Sequence, residues 1–116
     1  MRVLDDTKNL QCDDAVKCVF NLNNLDIEVY KLLKKSGELR ADELAKKLNR
    51  ERSTVYRSLQ KLAKCGMCDK ITRNLTQGGY YHIYTCLDNK TIKKHAERCL
   101  EQWYITIKKT LAKLEE

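Results

Sequence analysis

Apolar residues recur every three or four positions over the first half of the chain, which is the spacing of one face of a helix. This periodicity predicts four helices, over residues 4–20, 26–35, 41–48 and 52–64. Asp26 is the expected N-cap of the second helix, because its carboxylate can accept a bond from a free backbone N–H. Asn49 tolerates the left-handed conformation, so a tight turn is predicted between the third and fourth helices.

The pattern changes to strand-like alternation after Gly66. Residues 67–75 and 80–87 alternate on either side of Thr76-Gln77-Gly78-Gly79, whose two glycines supply the positive φ angles of a tight hairpin. An antiparallel two-stranded ribbon is therefore predicted, with a short strand at residues 38–39 as a further candidate. Helical spacing returns from about Thr91 to Glu115 and predicts one long helix.

This order of elements predicts a fold class. Two helices joined by a tight turn and followed by a hairpin form a winged helix-turn-helix. We expect a mainly α protein with a small β-hairpin: an N-terminal helix, a winged-helix core over about residues 24–88, and a C-terminal helix over about 91–115. The 116 residues include no proline and no Gly/Ser-rich linker, so a single domain, 1–116, is predicted.

Charge adds a functional indication. The formal net charge is +7, and residues 40–73 carry +6 of it, against −1 for residues 1–39 and +2 for residues 74–116. A concentrated basic segment is typical of proteins that bind a polyanion. No apolar run approaches the roughly 20 residues needed to span a bilayer, and the first residues lack a signal-peptide pattern, so a cytoplasmic protein that does not bind membranes is expected.

The fourth helix directs polar and basic side chains away from Val55, Leu59 and Leu62. A helix fits the major groove of DNA, where arginine can bond guanine through two N–H groups and glutamine can bond adenine. The alternative interpretation is an ordinary solvated helix face. The predicted DNA contacts of this helix are Arg52, Ser53, Thr54, Tyr56, Arg57, Gln60 and Lys61.

The hairpin supplies a second candidate contact, to the DNA backbone or minor groove over about residues 70–80. Its predicted residues are Lys70, Arg73, Asn74 and Gln77. An ordinary exposed hairpin is the alternative. The aromatic run at residues 80–84 is interpreted mainly as packing, with stacking on single-stranded nucleic acid as the alternative.

The last helix carries an apolar stripe that would be exposed in a monomer, and a two-fold partner would bury it. A homodimer is therefore predicted. Two recognition helices would then reach successive major grooves about 34 Å apart, which predicts a palindromic DNA site. The predicted dimerisation residues are Ile92, Ala96, Cys99, Trp103, Ile107, Leu111 and Leu114.

Six cysteines include one CxxC pair, Cys65 and Cys68, which join the fourth helix to the hairpin. Three interpretations of this pair are open: buried thiols, a redox switch and a zinc site. A structural zinc needs two further ligands, and the sequence offers no second closely spaced pair. No metal and no cofactor are expected, and Cys65 and Cys68 remain candidate redox residues.

Three segments together resemble archaeal TrmB-like winged-helix transcription regulators: RSTVYRSLQKL (52–62), CGM (65–67) and GGYYHIY (78–84). The resemblance runs over about residues 12–103. It implies a sequence-specific regulator that binds double-stranded DNA as a homodimer through Arg52, Ser53, Thr54, Tyr56 and Arg57, with the last helix as the dimerisation helix. The larger sugar-sensing members carry a C-terminal effector domain, so sugar binding is not expected here.

Glu51 departs from the family pattern, which has Ser, Thr or Asp as the cap of the recognition helix, so the start of that helix is open. Two other functions compete with DNA regulation: a winged-helix module that binds protein, and a thiol-based redox-sensing repressor. An RNA-binding role is a further alternative. The sequence shows no Gly-rich phosphate loop and no spaced nucleophile–base pair, so an enzyme is not expected.

Overall fold

A computed structural model describes residues 12–115, with side chains described from residue 15. The part of the first predicted helix before Cys12 lies outside the described residues. The fold is a winged helix, mainly helical, with a small antiparallel sheet and a long C-terminal helix. Its elements are α1 (Cys12–Val19), α2 (Asn24–Ser36), β1 (Glu38–Leu39), α3 (Ala41–Leu48), α4 (Arg52–Lys64), β2 (Cys68–Asn74), β3 (Tyr80–Cys86) and α5 (Asn89–Ala112), followed by a 3-10 turn at Lys113–Glu115.

The N-cap of helix α2 lies three residues earlier than predicted, and the assignment of Asp26 as that cap is wrong. Asn23 is the N-cap: its side chain accepts from the Asp26 N–H at 2.8 Å, and the Asp26 carboxylate accepts from the Asn23 N–H at 2.9 Å. This reciprocal pair is a capping box, which satisfies two free backbone donors at once. At the other end Gly37, with φ +91°, ends the helix.

The sheet has three strands in the order β1-β3-β2, so the predicted two-stranded ribbon is incomplete. β2 and β3 pair antiparallel from Cys68↔Cys86 to Asn74↔Tyr80. β1 adds two residues to the other edge of β3, where Leu39 lies opposite Tyr84. Because β1 joins α2 to α3, this pairing attaches the hairpin to the helical part of the domain.

Helices α2, α3 and α4 share one core with the base of the sheet. Their inward side chains repeat at helical spacing and are fully buried. Burying each large aliphatic side chain contributes about 1.5–3 kcal/mol, so this core is the main source of the stability of the fold. The central residues are Val29, Leu33, Leu44, Val55, Leu59, Leu62 and Met67.

Helix α5 belongs to the core only at its beginning. Ile92 is 4% exposed and Ala96 is partly buried against the core, so these two predicted dimerisation residues pack within their own chain. Every side chain from Glu97 to Glu115 is exposed. At 1.5 Å per residue the 24-residue helix is about 36 Å long, and its second half extends away from the domain. Within residues 12–115, none of the helices combines the length and the apolar character that a membrane span requires.

Candidate nucleic-acid interface

The turn between α3 and α4 fixes where the candidate recognition helix begins. Asn49 adopts the left-handed conformation, with φ 53° and ψ 50°, as its residue type allows. α4 then begins at Arg52, and Glu51 is its N-cap residue, although its side chain accepts no capping hydrogen bond from the helix. The predicted boundary is confirmed, and the first turn of α4 has no carboxylate cap that would neutralise the positive end of the helix.

The outward face of α4 is polar and basic, as predicted. Arg52, Ser53, Arg57 and Gln60 are exposed, whereas Thr54 and Tyr56 are half-buried at the edges of that face. The opposite face is apolar and anchors the helix in the core. α4 therefore presents four side chains with hydrogen-bond donors to a partner outside the domain.

Lys61 differs from the other predicted contacts, because it already has a partner inside the fold. Its ammonium lies 2.9 Å from Oδ2 of Asp26, a residue that is only 2% exposed. Ser58 donates to Oδ1 of the same carboxylate at 2.6 Å. Burial raises the pKa of Asp26, but the hydrogen bonds from Ser58, Asn23 and Lys61 outweigh it and leave the pKa lowered.

This network joins the start of α2 to the middle of α4. Asp26 and Lys61 are 35 residues apart, so no local spacing in the sequence shows that they meet. The N-x-x-D pattern at Asn23 and Asp26 is the one signal that could have identified the capping box. The structure thus gives Lys61 a role in holding α4 in place.

A concave surface lies between the N-terminal end of α4 and the sheet. Its aromatic and basic lining includes Arg52, Tyr56, Tyr80 and Tyr81. Arg40, which was not among the predicted contacts, places its guanidinium carbon 4.0 Å from the centre of the Tyr81 ring. Attraction between the cation and the ring holds this side chain at the edge of the concave surface.

The hairpin tip projects into solvent, and all four predicted contacts, Lys70, Arg73, Asn74 and Gln77, are exposed. Arg73 lies 3.1 Å from Glu38, and both side chains of this ion pair are about half exposed. The aromatic run behind the tip is divided: Tyr80 is 66% exposed, whereas Tyr84 is buried. Packing is therefore the role of the inner part of the run. Lys70, opposite Tyr84 near the base of the hairpin, is a basic side chain without an ion-pair partner among the described residues.

The apolar face of the projecting half of α5 differs from the predicted stripe by one residue position at two places. Its residues are spaced alternately by four and three positions, and this spacing is the period of a two-stranded coiled coil. They are Leu100, Tyr104, Ile107, Leu111 and Leu114, with Trp103 beside them. The predicted dimerisation residues include Ile107, Leu111, Leu114 and Trp103 of this set, but not Leu100 and Tyr104.

Of the two candidate redox residues, Cys68 is paired in the strand register with Cys86 and not with Cys65. Cys65 follows α4, whereas Cys68 begins β2, is buried and lies directly opposite Cys86 on β3. Burial raises the pKa of Cys65, and Cys99 adds to this effect. Within residues 12–115, no three His, Cys, Asp or Glu side chains are grouped as they would be around a metal ion.

Comparisons with known proteins agree with this geometry. The sequence model of the family described as the sugar-specific transcriptional regulator TrmB matches residues 16–90. Two uncharacterised proteins of Methanocaldococcus jannaschii are similar to this chain. One is 33% identical over 103 residues, which cover 89% of this chain and 78% of that protein. The other is 32% identical over 115 residues, which cover 98% of this chain and 94% of that protein.

A solved structure from Methanosarcina mazei Go1, described as a possible transcriptional regulator, superposes with a TM-score of 0.71 at 28% identity, over 92% of this chain and 91% of the other. The family match covers α2 to β3, which are the elements that position the exposed face of α4 and the hairpin. The chain therefore belongs to the TrmB family of transcriptional regulators.

Proposed function

We propose that this protein is a transcriptional regulator that binds specific sequences of double-stranded DNA as a homodimer. The exposed face of α4 carries the proposal. Arg52, Ser53, Arg57 and Gln60 are all exposed on one helix, and no acidic residue lies within that helix. A face of donors suits the acceptor-rich edges and phosphates of the major groove.

In this proposal α4 enters the major groove with its N-terminal turn foremost. Arg52, Ser53 and Thr54 occupy that turn, and Arg57 follows about one turn later. Residues near the N-terminus of a recognition helix are the ones that reach base edges. Lys61, paired with Asp26, orients the helix, and the proposal assigns it no direct base contact.

The hairpin acts as the wing on the neighbouring backbone or minor groove. Lys70 is exposed and supplies a phosphate contact, while Arg73 must exchange Glu38 for a phosphate before it contributes fully. Asn74 and Gln77 at the tip add neutral donors. This contact adds affinity but little sequence information, since phosphates are the same at every base pair.

The projecting half of α5 pairs with the same helix of a second chain. A single exposed leucine is ordinary on a protein surface, but five large apolar side chains at coiled-coil spacing are not. Leu114, at 80% exposed, and Leu111 would be covered by such pairing. A two-fold dimer places two α4 helices for a palindromic site with half-sites about 34 Å apart.

Selection of bound fragments from a random double-stranded DNA library tests the proposal. We expect one enriched motif with two-fold symmetry, and tight binding to the enriched duplex compared with a shuffled duplex of the same composition. Loss of affinity with rising salt is also expected, because each neutralised phosphate adds about 0.9 to the log–log slope. No enrichment and no binding to any duplex would favour a winged-helix module that binds protein.

A further inference from the structure

The buried base of the wing contains two thiols that face each other across neighbouring strands. Cys68 is the first residue of β2 and Cys86 the last of β3, and they are direct partners in the strand register. Cys68 is only 2% exposed, whereas Cys86 is half-buried. The DNA-binding proposal uses neither of them.

The hydrogen-bond ladder defines the geometry of this pair. The Leu87 N–H donates to the Met67 carbonyl at 2.9 Å, so Met67 and Leu87 occupy a hydrogen-bonded position. Positions alternate along an antiparallel ladder, which places Cys68 and Cys86 at a non-hydrogen-bonded position. Cα atoms at such positions are about 4.5 Å apart, within the range of about 4.4–6.8 Å that a disulfide spans.

We propose that Cys68 and Cys86 are a peroxide-oxidisable pair that forms a reversible cross-strand disulfide at the base of the wing. The Cys86 thiolate attacks a hydroperoxide, which breaks the O–O bond and leaves Cys86 as a sulfenic acid with release of hydroxide or alkoxide. The Cys68 sulfur then attacks Cys86, the S–O bond breaks, and water leaves as the disulfide forms. Two electrons pass from the two sulfurs to the peroxide.

The surroundings of the two sulfurs assign these roles. A hydrogen bond from the Cys68 thiol to the Cys86 sulfur lowers the pKa of Cys86 and raises that of Cys68, and Lys34 also favours the Cys86 thiolate. Cys86 is the more accessible of the two, so a small peroxide reaches it first. In the reduced form the Cys86 thiol donates to the Tyr30 carbonyl at 3.6 Å, a contact that the disulfide replaces.

Disulfide mapping after peroxide treatment tests the pair directly. Cys65 and Cys68 fall in one tryptic peptide, since trypsin cuts after Lys64 and Lys70. The experiment therefore uses the full-length Cys65→Ser variant, in which a link between residues 65–70 and residues 74–90 can involve only Cys68 and Cys86. We expect this link as the main product and its loss on adding a reductant.

Two variants test the order of attack. With Cys68→Ala, a 1,3-dione that traps sulfenic acids should label Cys86, because no resolving thiol remains. With Cys86→Ser, labelling of Cys68 and the cross-link should both be absent. A melting curve of each reduced variant shows that it is folded, and mapping of the Cys65→Ser protein does not depend on either variant.

The proposal is overturned if oxidised Cys65→Ser protein contains no link between these two peptides, or if oxidised wild type instead links Cys65 to Cys68 or to Cys99. Labelling of Cys68 in Cys86→Ser would also reverse the assigned order. None of these readouts requires DNA, so this proposal and the regulatory function fail or hold separately.

Discussion

At the scale of single residues, Asp26 has the most consequences for the candidate interface. Its carboxylate is buried and accepts from Asn23, Ser58 and Lys61, so it connects the capping box of α2 with α4. A buried carboxylate without partners would cost several kcal/mol, and the three donors offset that cost. The sequence predicted Lys61 as a DNA contact because it lies on the outward face of α4. Helical spacing alone does not show that the carboxylate of Asp26, on another helix, reaches it.

Replacing Asp26 by Asn should lower the free energy of unfolding by about 1–3 kcal/mol at pH 7, because the ion pair and two charge-assisted hydrogen bonds are lost. The lowered pKa of Asp26 means that its contribution is complete above its unfolded value of about 3.9 and is lost as the pH falls through the folded value. The difference between wild type and Asp26→Asn should therefore shrink below about pH 4.

Denaturant unfolding at pH 7 and at several lower pH values measures this difference. Glu28→Gln is the matched control, since Glu28 lies on the same helix but is exposed. We expect a change of at most about 0.5 kcal/mol for the control. Equal losses in the two variants would contradict the role given to Asp26.

At the scale of elements, the joint between α4 and the wing is fixed by a glycine. Gly66 has φ +82°, and its carbonyl accepts from His95 Nδ1 of α5 at 2.8 Å. A Cβ at this position would lie 2.1 Å from that nitrogen. The sequence placed the change from helical to strand-like spacing at Gly66. It contained no sign of the His95 contact, because that contact depends on how α5 packs against the domain.

Gly66→Ala should therefore destabilise the fold by more than the strain of a positive φ alone, which is on the order of 1 kcal/mol. Gly37→Ala is the matched control, because Gly37 has φ +91° and a Cβ there would meet nothing within 4 Å. Unfolding free energies of both variants measure the excess. Equal losses would show that the contact with His95 adds no constraint.

The wing gives a second prediction at this scale. Lys70→Ala should weaken binding to every duplex by a similar factor and reduce the log–log salt slope by about 0.9, as for one lost phosphate contact. Arg73→Ala should change both less, since Arg73 is already paired with Glu38. Affinity titrations at four salt concentrations measure both slopes. An unchanged salt slope for Lys70→Ala would contradict the proposed contact between the wing and a phosphate.

Element types and boundaries followed closely from the sequence where hydrophobic spacing is strong, as in α3 and α4. The pairing of β1 with β3 could not be predicted. A strand of two residues is too short to show an alternation of apolar and polar side chains, and Leu39 pairs with a residue 45 positions further along the chain. The start of α2 was missed because two candidate caps, Asn23 and Asp26, lie within one turn, and only the three-dimensional contacts distinguish cap from N3 residue.

At the scale of the whole molecule, the projecting half of α5 carries the proposed dimer contact. The sequence predicted a single stripe from Ile92 to Leu114, but only the beginning of that stripe packs on the helix's own domain. One face of the first turns of α5 packs on the domain, and after Ala96 the side chains are exposed on every face. Spacing alone does not locate this change, because both parts of the stripe are apolar.

Ile107→Glu should convert the dimer into a monomer, because a charge in the coiled-coil face would be buried without a partner. Ile105→Glu is the matched control: Ile105 is exposed to a similar extent, 44% against 40%, but lies outside the face. Sedimentation velocity at micromolar concentration measures the mass of each variant. Monomeric wild type, or equal behaviour of the two variants, would contradict the proposed assembly.

The proposal that α4 reads DNA bases depends most on Arg57. The measurement is the affinity of wild type and Arg57→Ala for the selected duplex and for all its single-base substitutions, with Lys109→Ala, at an exposed lysine in the last turn of α5, as a charge-matched control. The account predicts that Arg57→Ala loses about 1–3 kcal/mol and discrimination at one base pair in each half-site, while Lys109→Ala keeps both. Unchanged affinity and unchanged discrimination at every position in Arg57→Ala would contradict it.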